Sequence, residues 1–265
     1  MLKLSACVEL LFRSEPMADR FLLAANAGVQ ACEIWNYTRH DIAELKEGIE
    51  KSGIPLSTMC VGATNPELAE EYAKHALLSE ESGDILCRIA EESVKTASIL
   101  GVSNLILTTG QERDDISRYE QHANLVCALR KAAPIFESAG ITAVLEPLNV
   151  VKNHRGYYLF SAYEAFAVIR EVQSPRVKLL YDIYHQQLTD GNLIANITGN
   201  IDLIGHFHVA DAPGRNEPGT GEINYKNVFA AIASTSYQHY VGLEYTPLQE
   251  DAAALKETLS LAGYN

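Results

Sequence analysis

No two cysteines in this chain stand at the C-x-x-C spacing of a metal clip or redox couple, and there are only five in all. Cys7, Cys32, Cys60, Cys87 and Cys127 are an odd, scattered set, lying mostly in apolar runs. Such a set argues against a disulfide framework and reads as a reduced, cytoplasmic protein. Positive charge is also scarce: 21 Lys and Arg face 34 Asp and Glu, a formal net charge of −13. Broad contact with a phosphate backbone relies on clustered Lys and Arg, so a nucleic-acid partner is not expected. An anionic small molecule stays admissible wherever a site supplies its own local positive charge. No segment reaches the roughly 18 apolar residues that a membrane span needs. The opening "MLKLSACVELLF" has the look of a secretory leader, but Glu9 interrupts it, Arg13 closes it and no small-residue cleavage site follows. A first β-strand is the expectation there. The stretch after it, "LLFRSEPMADR", lacks the glycine-rich phosphate loop that often follows the first strand of a doubly wound sheet.

What the chain does have is alternation. Its 265 residues, 47% hydrophobic and 21% charged, suffice for a substantial core and contain no low-complexity tract. Short apolar runs at 2–12, 31–35, 55–61, 104–109, 141–148, 177–184, 203–209 and 240–245 read as strands. Helical patterns lie between them at 42–51, 85–100, 120–138, 163–172 and 225–233, with a last one near 252–261. Gly28, Gly53, Gly101 and Gly140, in "AGV", "SGI", "LGV" and "AGI", fall just past a helix and just before a strand, where glycine relieves a left-handed helix end. "SAYE", with Ser161 and Glu164, reads as a capping box. Strands alternating with helices imply parallel pairing with right-handed crossovers. Eight such units without a linker predict one domain over 1–265, a closed (β/α)8 TIM barrel with its active site at the C-terminal ends of the strands. The long connection 62–84 is expected to form a lid or rim helix.

Read at those strand ends, "AVLEPLN", "LLYDIYH", "GHFHVAD" and "VGLEYTP" place Glu146, Asp182, His208 and Glu244 at similar heights, 36, 26 and 36 residues apart. Neighbouring strands lie about 4.8 Å apart, so four successive ends can converge on one ion. Three carboxylates and one imidazole suit one divalent metal ion of the Mn²⁺, Mg²⁺ or Co²⁺ kind; more His or Cys would favour Zn²⁺. A single carboxylate in an apolar strand is as readily explained by an internal salt bridge. Four in register are not, because burying three carboxylates together is costly without a cation. In "HFHVAD", His206 and His208 share a face since strand side chains alternate. His208 is the expected ligand, and His206, one layer deeper, a supporting donor or a satisfied core histidine. Arg215, on the Gly/Pro-shaped loop that follows, is a candidate carboxylate grip, with a solvated surface arginine as its alternative. His185, three residues after Asp182, faces the pocket or packs at the rim.

The segments "LEPLN", "YDIYH", "HVADAPGRNEPGTGEINY" and "GLEY", in this order across the second half, resemble the xylose-isomerase-like barrel superfamily, and within it the hydroxypyruvate isomerase group and its ketose 3-epimerase cousins. "GVQACEIW" and "LILTTGQ" in the first half fit more loosely. The resemblance implies a single divalent metal held by Glu146, Asp182, His208 and Glu244. It also implies that Glu146 and Glu244 form the proton-transfer pair, with His185 and Arg215 contacting substrate. One departure bears on substrate: some hydroxypyruvate isomerases carry Gln where this chain has His208, whereas the sugar epimerases carry His. The expected activity is isomerisation of a small hydroxy-carbonyl acid, hydroxypyruvate to tartronate semialdehyde, through an enediolate. A ketose 3-epimerase and a dehydratase acting on a cyclic polyol ketone are alternatives on the same machinery, and a DNA repair nuclease of the endonuclease IV type is the alternative from another class. The expected partner is a small-molecule substrate, with neither nucleic acid nor membrane, and a homo-oligomer is compatible with the fold.

Overall fold

Eight parallel strands close on themselves in chain order in the computed structural model, which describes residues 1–264. They are β1 (Lys3–Cys7), β2 (Ala31–Glu33), β3 (Leu56–Cys60), β4 (Asn104–Thr108), β5 (Thr142–Glu146), β6 (Val177–Asp182), β7 (Ile204–Val209) and β8 (Tyr240–Leu243). Closure is made by β1 against β8, with Leu4 beside Val241 and Ser5 beside Gly242. Around the strands run α1 (Met17–Ala27), α2 (Ile42–Ser52), α3 (Pro66–His75), α4 (Ser82–Leu100), α5 (Arg118–Ala139), α6 (Ala162–Val172), α7 (Ile183–Thr189), α8 (Leu193–Gly199), α9 (Tyr225–Ala233) and α10 (Asp251–Leu261). The expected single-domain (β/α)8 barrel is the fold. No described helix is long and apolar enough to cross a membrane.

Local signals account for most boundaries. Gly28, Gly53, Gly101 and Gly140 each end a helix in the left-handed region, with φ between 69° and 106°. Asn65 accepts from the amides of Glu67 and Leu68, and Pro66 opens the first turn, so the long connection carries the expected rim helix α3. The capping box expected at Ser161 does not form. Ser161 accepts from Tyr163 one residue early, and Glu164 is instead drawn to Arg118 at 2.8 Å. The reciprocal box is at Ser117 and Glu120, at the start of α5.

All eight strands are shorter than their apolar runs, and for the first and the sixth the stop has a visible cause. The first stops at Cys7, because the following residues fold back into a loop gripped by Arg20, whose guanidinium donates to the carbonyls of Val8, Glu15 and Arg13. The sixth stops at Asp182, whose Oδ1 accepts the amide of His185 at 2.9 Å and starts α7, taking Ile183 and Tyr184 into the helix.

The buried apolar residues form three clusters, one of which, Ala63, Leu68, Ile85 and Ile89, seats α3 on α4. The largest cluster packs strands against helices, with Phe21, Phe136, Phe166 and Phe229 fully or almost fully buried. A small one, Ile106, Val144 and Leu180 with Cys60 against it, belongs to β3–β6 and lies one inward step below the strand ends. Strand parity puts Glu146 above Val144, Asp182 above Leu180, His208 above His206, and Glu244 above Gly242. The floor of the site is therefore apolar on one side and polar on the other.

Candidate metal centre

Register brings the strand ends together. Asp182 pairs with His208 across β6 and β7, His208 with Gly242 across β7 and β8, and the Glu244 amide reaches Val209 O at 3.0 Å. One donor atom each from Glu146, Asp182, His208 and Glu244 can be chosen so that all four lie within 4.8 Å of one another. All four side chains are buried. His208 turns Nδ1 towards the carboxylates, 3.3 Å from Glu146 Oε1 and 3.6 Å from Glu244 Oε2. Tyr157 anchors the end of β5 from outside, accepting the Thr109 amide and donating to Glu146 O.

This donor set fits a hard divalent cation: three carboxylates and one imidazole, converging and withdrawn from water. The electrostatics agree. Burial raises the Asp182 carboxyl against the pull of Arg215, as expected of an acid short of compensating positive charge. Glu244 meets the same burial, but the charges of His208 and Arg215 outweigh it and lower its carboxyl. Burial likewise works against protonated His208, and the carboxylates of Glu244 and Glu33 overcome it and raise the imidazole.

Arg215, on the loop after β7, meets the cluster at Glu244. Its Nη2 is 2.5 Å from Glu244 Oε2, and its guanidinium sits 5.5 Å over the ring of Tyr184. Its Nε is buried with no hydrogen-bond partner among the described residues. Burial opposes its charge, yet Glu244, Asp182 and Glu146 hold the guanidinium firmly protonated. The loop is pinned from below by Asp211, a buried residue that the sequence reading passed over. Its two carboxylate oxygens accept four amides: Ala212 and Ile223 on Oδ1, Gly219 and Gly221 on Oδ2, at 2.8–3.0 Å. The Arg215 amide bonds Asp211 O, and Arg215 O accepts from Thr246, so the loop is tied to the segments just after β7 and β8.

His185 is fully buried and faces Asp182 from the first turn of α7. The Asn149 amide donates to its Nδ1 at 3.0 Å, which places the ring proton on Nε2. That Nε2 points towards Asp182 Oδ2 at 3.6 Å and has no hydrogen-bond partner among the described residues. Burial pushes its pKa down to about 3, so the ring is a neutral donor.

His206 is buried one layer down, 3.0 Å through Nε2 from Glu33 Oε2. Glu33, at the end of β2, was not among the expected site residues, nor was Trp35, whose indole donates to Glu244 Oε1 at 2.7 Å. Their signal was available in "ACEIW": an acidic residue at a strand end, the same mark that picked out the other three carboxylates.

A closed (β/α)8 barrel with converging carboxylates and an imidazole at its C-terminal strand ends has the layout of a barrel enzyme. The chain belongs to the xylose isomerase-like TIM barrel family, whose sequence profile matches residues 21–261. Within that family it is 31% identical to the hydroxypyruvate isomerase of Escherichia coli (strain K12), over 97% of this chain and 98% of that one. It is 27% identical to the 2-oxo-tetronate isomerase of Cupriavidus necator, over 96% of each. The crystal structure of a Brucella melitensis protein named AP endonuclease, family 2, superposes with a TM-score of 0.88 at 26% identity, covering 98% of this chain and 99% of that one.

Proposed function

We propose that this protein is a metal-dependent isomerase that moves a proton between adjacent carbons of a small 2-oxo acid, with hydroxypyruvate to tartronate semialdehyde as its reaction. The observation that carries the reading is the pairing of Glu146 and Glu244 in one buried cluster beside a fixed imidazole donor and an arginine with a free Nε. Both relatives are named for isomerising 2-oxo acids, which supports a carboxylate on the substrate.

Glu146, Asp182, His208 and Glu244 would hold one Mn²⁺, Mg²⁺ or Co²⁺ ion. When bound, such an ion supplies Lewis-acid polarisation of neighbouring carbonyl and hydroxyl oxygens. The chain's own groups do the rest. One glutamate removes a proton from C3 of hydroxypyruvate, and the other delivers a proton to C2, while the oxygen-bound proton passes from the C3 hydroxyl to the C2 oxygen. Atoms and electrons balance without an external oxidant. His185 Nε2–H donates to a substrate oxygen, and its fixed tautomer keeps that role constant. Arg215 binds the substrate carboxylate through the donors that Glu244 leaves open. Free thiols at all five cysteines suit a cytoplasmic setting.

A ketose 3-epimerase is the second reading, favoured by His208 itself, since the resemblance places His there in the epimerases and Gln in some hydroxypyruvate isomerases. The nuclease reading, to which the name of the Brucella protein belongs, is opposed by the net charge of −13. The test is to strip the protein with a chelator, restore Mn²⁺, Mg²⁺ or Co²⁺, and screen hydroxypyruvate, longer 2-oxo acids and free ketoses. Turnover of the acids that disappears on stripping and returns with metal is expected. Undiminished activity without detectable metal would overturn the metal assignment, and a strong preference for a free ketose would replace the isomerase with the epimerase.

A further inference from the structure

Glu33 is an expensive residue to keep where it is. Its carboxylate lies in the barrel interior with 2% of the residue exposed, and an apolar side chain of similar size would pack there without a desolvation cost. It touches two imidazoles: Oε2 is 3.0 Å from His206 Nε2, and Oε1 is 3.3 Å from His208 Nε2. The barrel makes room for it on β8, the strand just beyond β1. A Cβ on Gly242 would stand 2.5 Å from both carboxylate oxygens of Glu33 and 2.7 Å from His208 Cδ2, closer than real Cβ contacts. The glycine of "VGLEY" is thus a matter of space, with Glu33 and His208 filling the place of its side chain.

The two nitrogens of His208 face different groups. Nδ1 faces Glu146 and Glu244, and Nε2 faces Glu33. A nitrogen can ligate a cation only when it carries no proton, so a metal-binding His208 must keep its single proton at Nε2. Glu33 is the carboxylate nearest that nitrogen, in ion-pair range though outside hydrogen-bond geometry, and neither Glu33 Oε1 nor His208 Nε2 has a hydrogen-bond partner among the described residues. We infer that Glu33 is a positioning residue that holds the His208 proton at Nε2 and so presents Nδ1 to the cation, with His206 orienting Glu33 from below and Gly242 supplying the space. The inference rests on the metal centre proposed above. A carboxylate behind a metal-ligating imidazole fixes its tautomer and raises its basicity, and such partners are typically worth 10–100-fold in metal affinity.

Glu33→Gln tests it with little change of shape. A glutamine has one acceptor oxygen where the carboxylate has two, so its amide nitrogen must face one of the two imidazoles and turn that Nε2 into an acceptor. Two readouts separate positioning from folding: Mn²⁺ affinity measured by competition with a chelator, and ¹⁵N NMR of histidine in the Mg²⁺-loaded protein, both on variants that keep the wild-type circular dichroism. The expected result is a tenfold or greater loss of Mn²⁺ affinity in Glu33→Gln, with a changed Nε2–H signal at His206 or His208. Gly242→Ala, which crowds the same contact without removing a charge, should weaken Mn²⁺ in the same direction. Asp182→Asn should lose Mn²⁺ yet keep the Nε2–H of His208. Glu33→Gln with Mn²⁺ affinity within twofold of wild type and unchanged ¹⁵N shifts would overturn the inference while leaving the metal centre standing. A wild-type protein that binds no Mn²⁺ would instead overturn the metal centre, and the inference with it.

Discussion

Asp211→Asn should loosen the loop that carries Arg215 without touching the metal ligands. Each oxygen of Asp211 accepts two amides, so replacing one oxygen by an NH₂ group leaves two donors facing a donor, whichever way the amide turns. Hydrogen bonds to a charged group are worth about 1.5–3 kcal/mol each, and a buried donor left unpaired costs about 1–3 kcal/mol. Two lost contacts thus predict a local destabilisation of about 3 kcal/mol, discounted for whatever water can reach the glycines. Such a loss is roughly a 100-fold larger population of the opened loop. Hydrogen exchange at Ala212, Gly219, Gly221 and Ile223 reads this directly, since these amides report the loop and not the barrel. In parallel, kcat/KM for a 2-oxo acid should fall by about tenfold through KM, because Arg215 is held between Asp211 and Thr246, while Mn²⁺ affinity stays near wild type. Exchange rates unchanged at all four amides would refute the view that Asp211 shapes this loop.

Other substitutions should separate the roles in the cluster. Asp182→Asn and His208→Ala should lose metal affinity with the fold intact, since residues at the C-terminal face of a barrel serve the site more than stability; metal bound by both at wild-type affinity would show the ligand set to be wrong. Arg215→Lys should weaken binding of a 2-oxo acid and Arg215→Ala should weaken it further, by at least roughly tenfold in kcat/KM, because lysine cannot reproduce the planar fork. An unchanged kcat/KM for hydroxypyruvate in Arg215→Ala would remove the carboxylate grip from the account.

The barrel was legible because its signals are local and repeated: apolar runs of strand length, helical patterns between them, and a glycine closing one helix after another. Glu146, Asp182, His208 and Glu244 were legible for a related reason, since each ends a strand and the fold rule brings strand ends together. What the sequence hid was anything decided across the barrel. Glu33 acts on His206 and His208 from the far side of the strand circle, and Gly242 matters through a space that exists only once the barrel has closed. Asp211 stood in a stretch read closely, but its four amide contacts are set by the path of the loop. The first and sixth runs were read too long because periodicity does not register a side chain that ends a strand: Arg20 gathers the carbonyls after β1, and Asp182 turns from strand residue to helix cap.

The central claim is proton transfer between adjacent carbons by Glu146 and Glu244, and the most direct test is to run the metal-reconstituted enzyme on hydroxypyruvate in D₂O. Two glutamates that take a proton from C3 and return one to C2 exchange with solvent between the two steps, so the product should carry solvent deuterium at C2. NMR of the product measures this. Glu146→Gln and Glu244→Gln should each lower kcat by about 100-fold or more as proton transfer fails. Product formed at full rate with no deuterium at C2, in which the hydrogen has moved directly from carbon to carbon, would contradict the account.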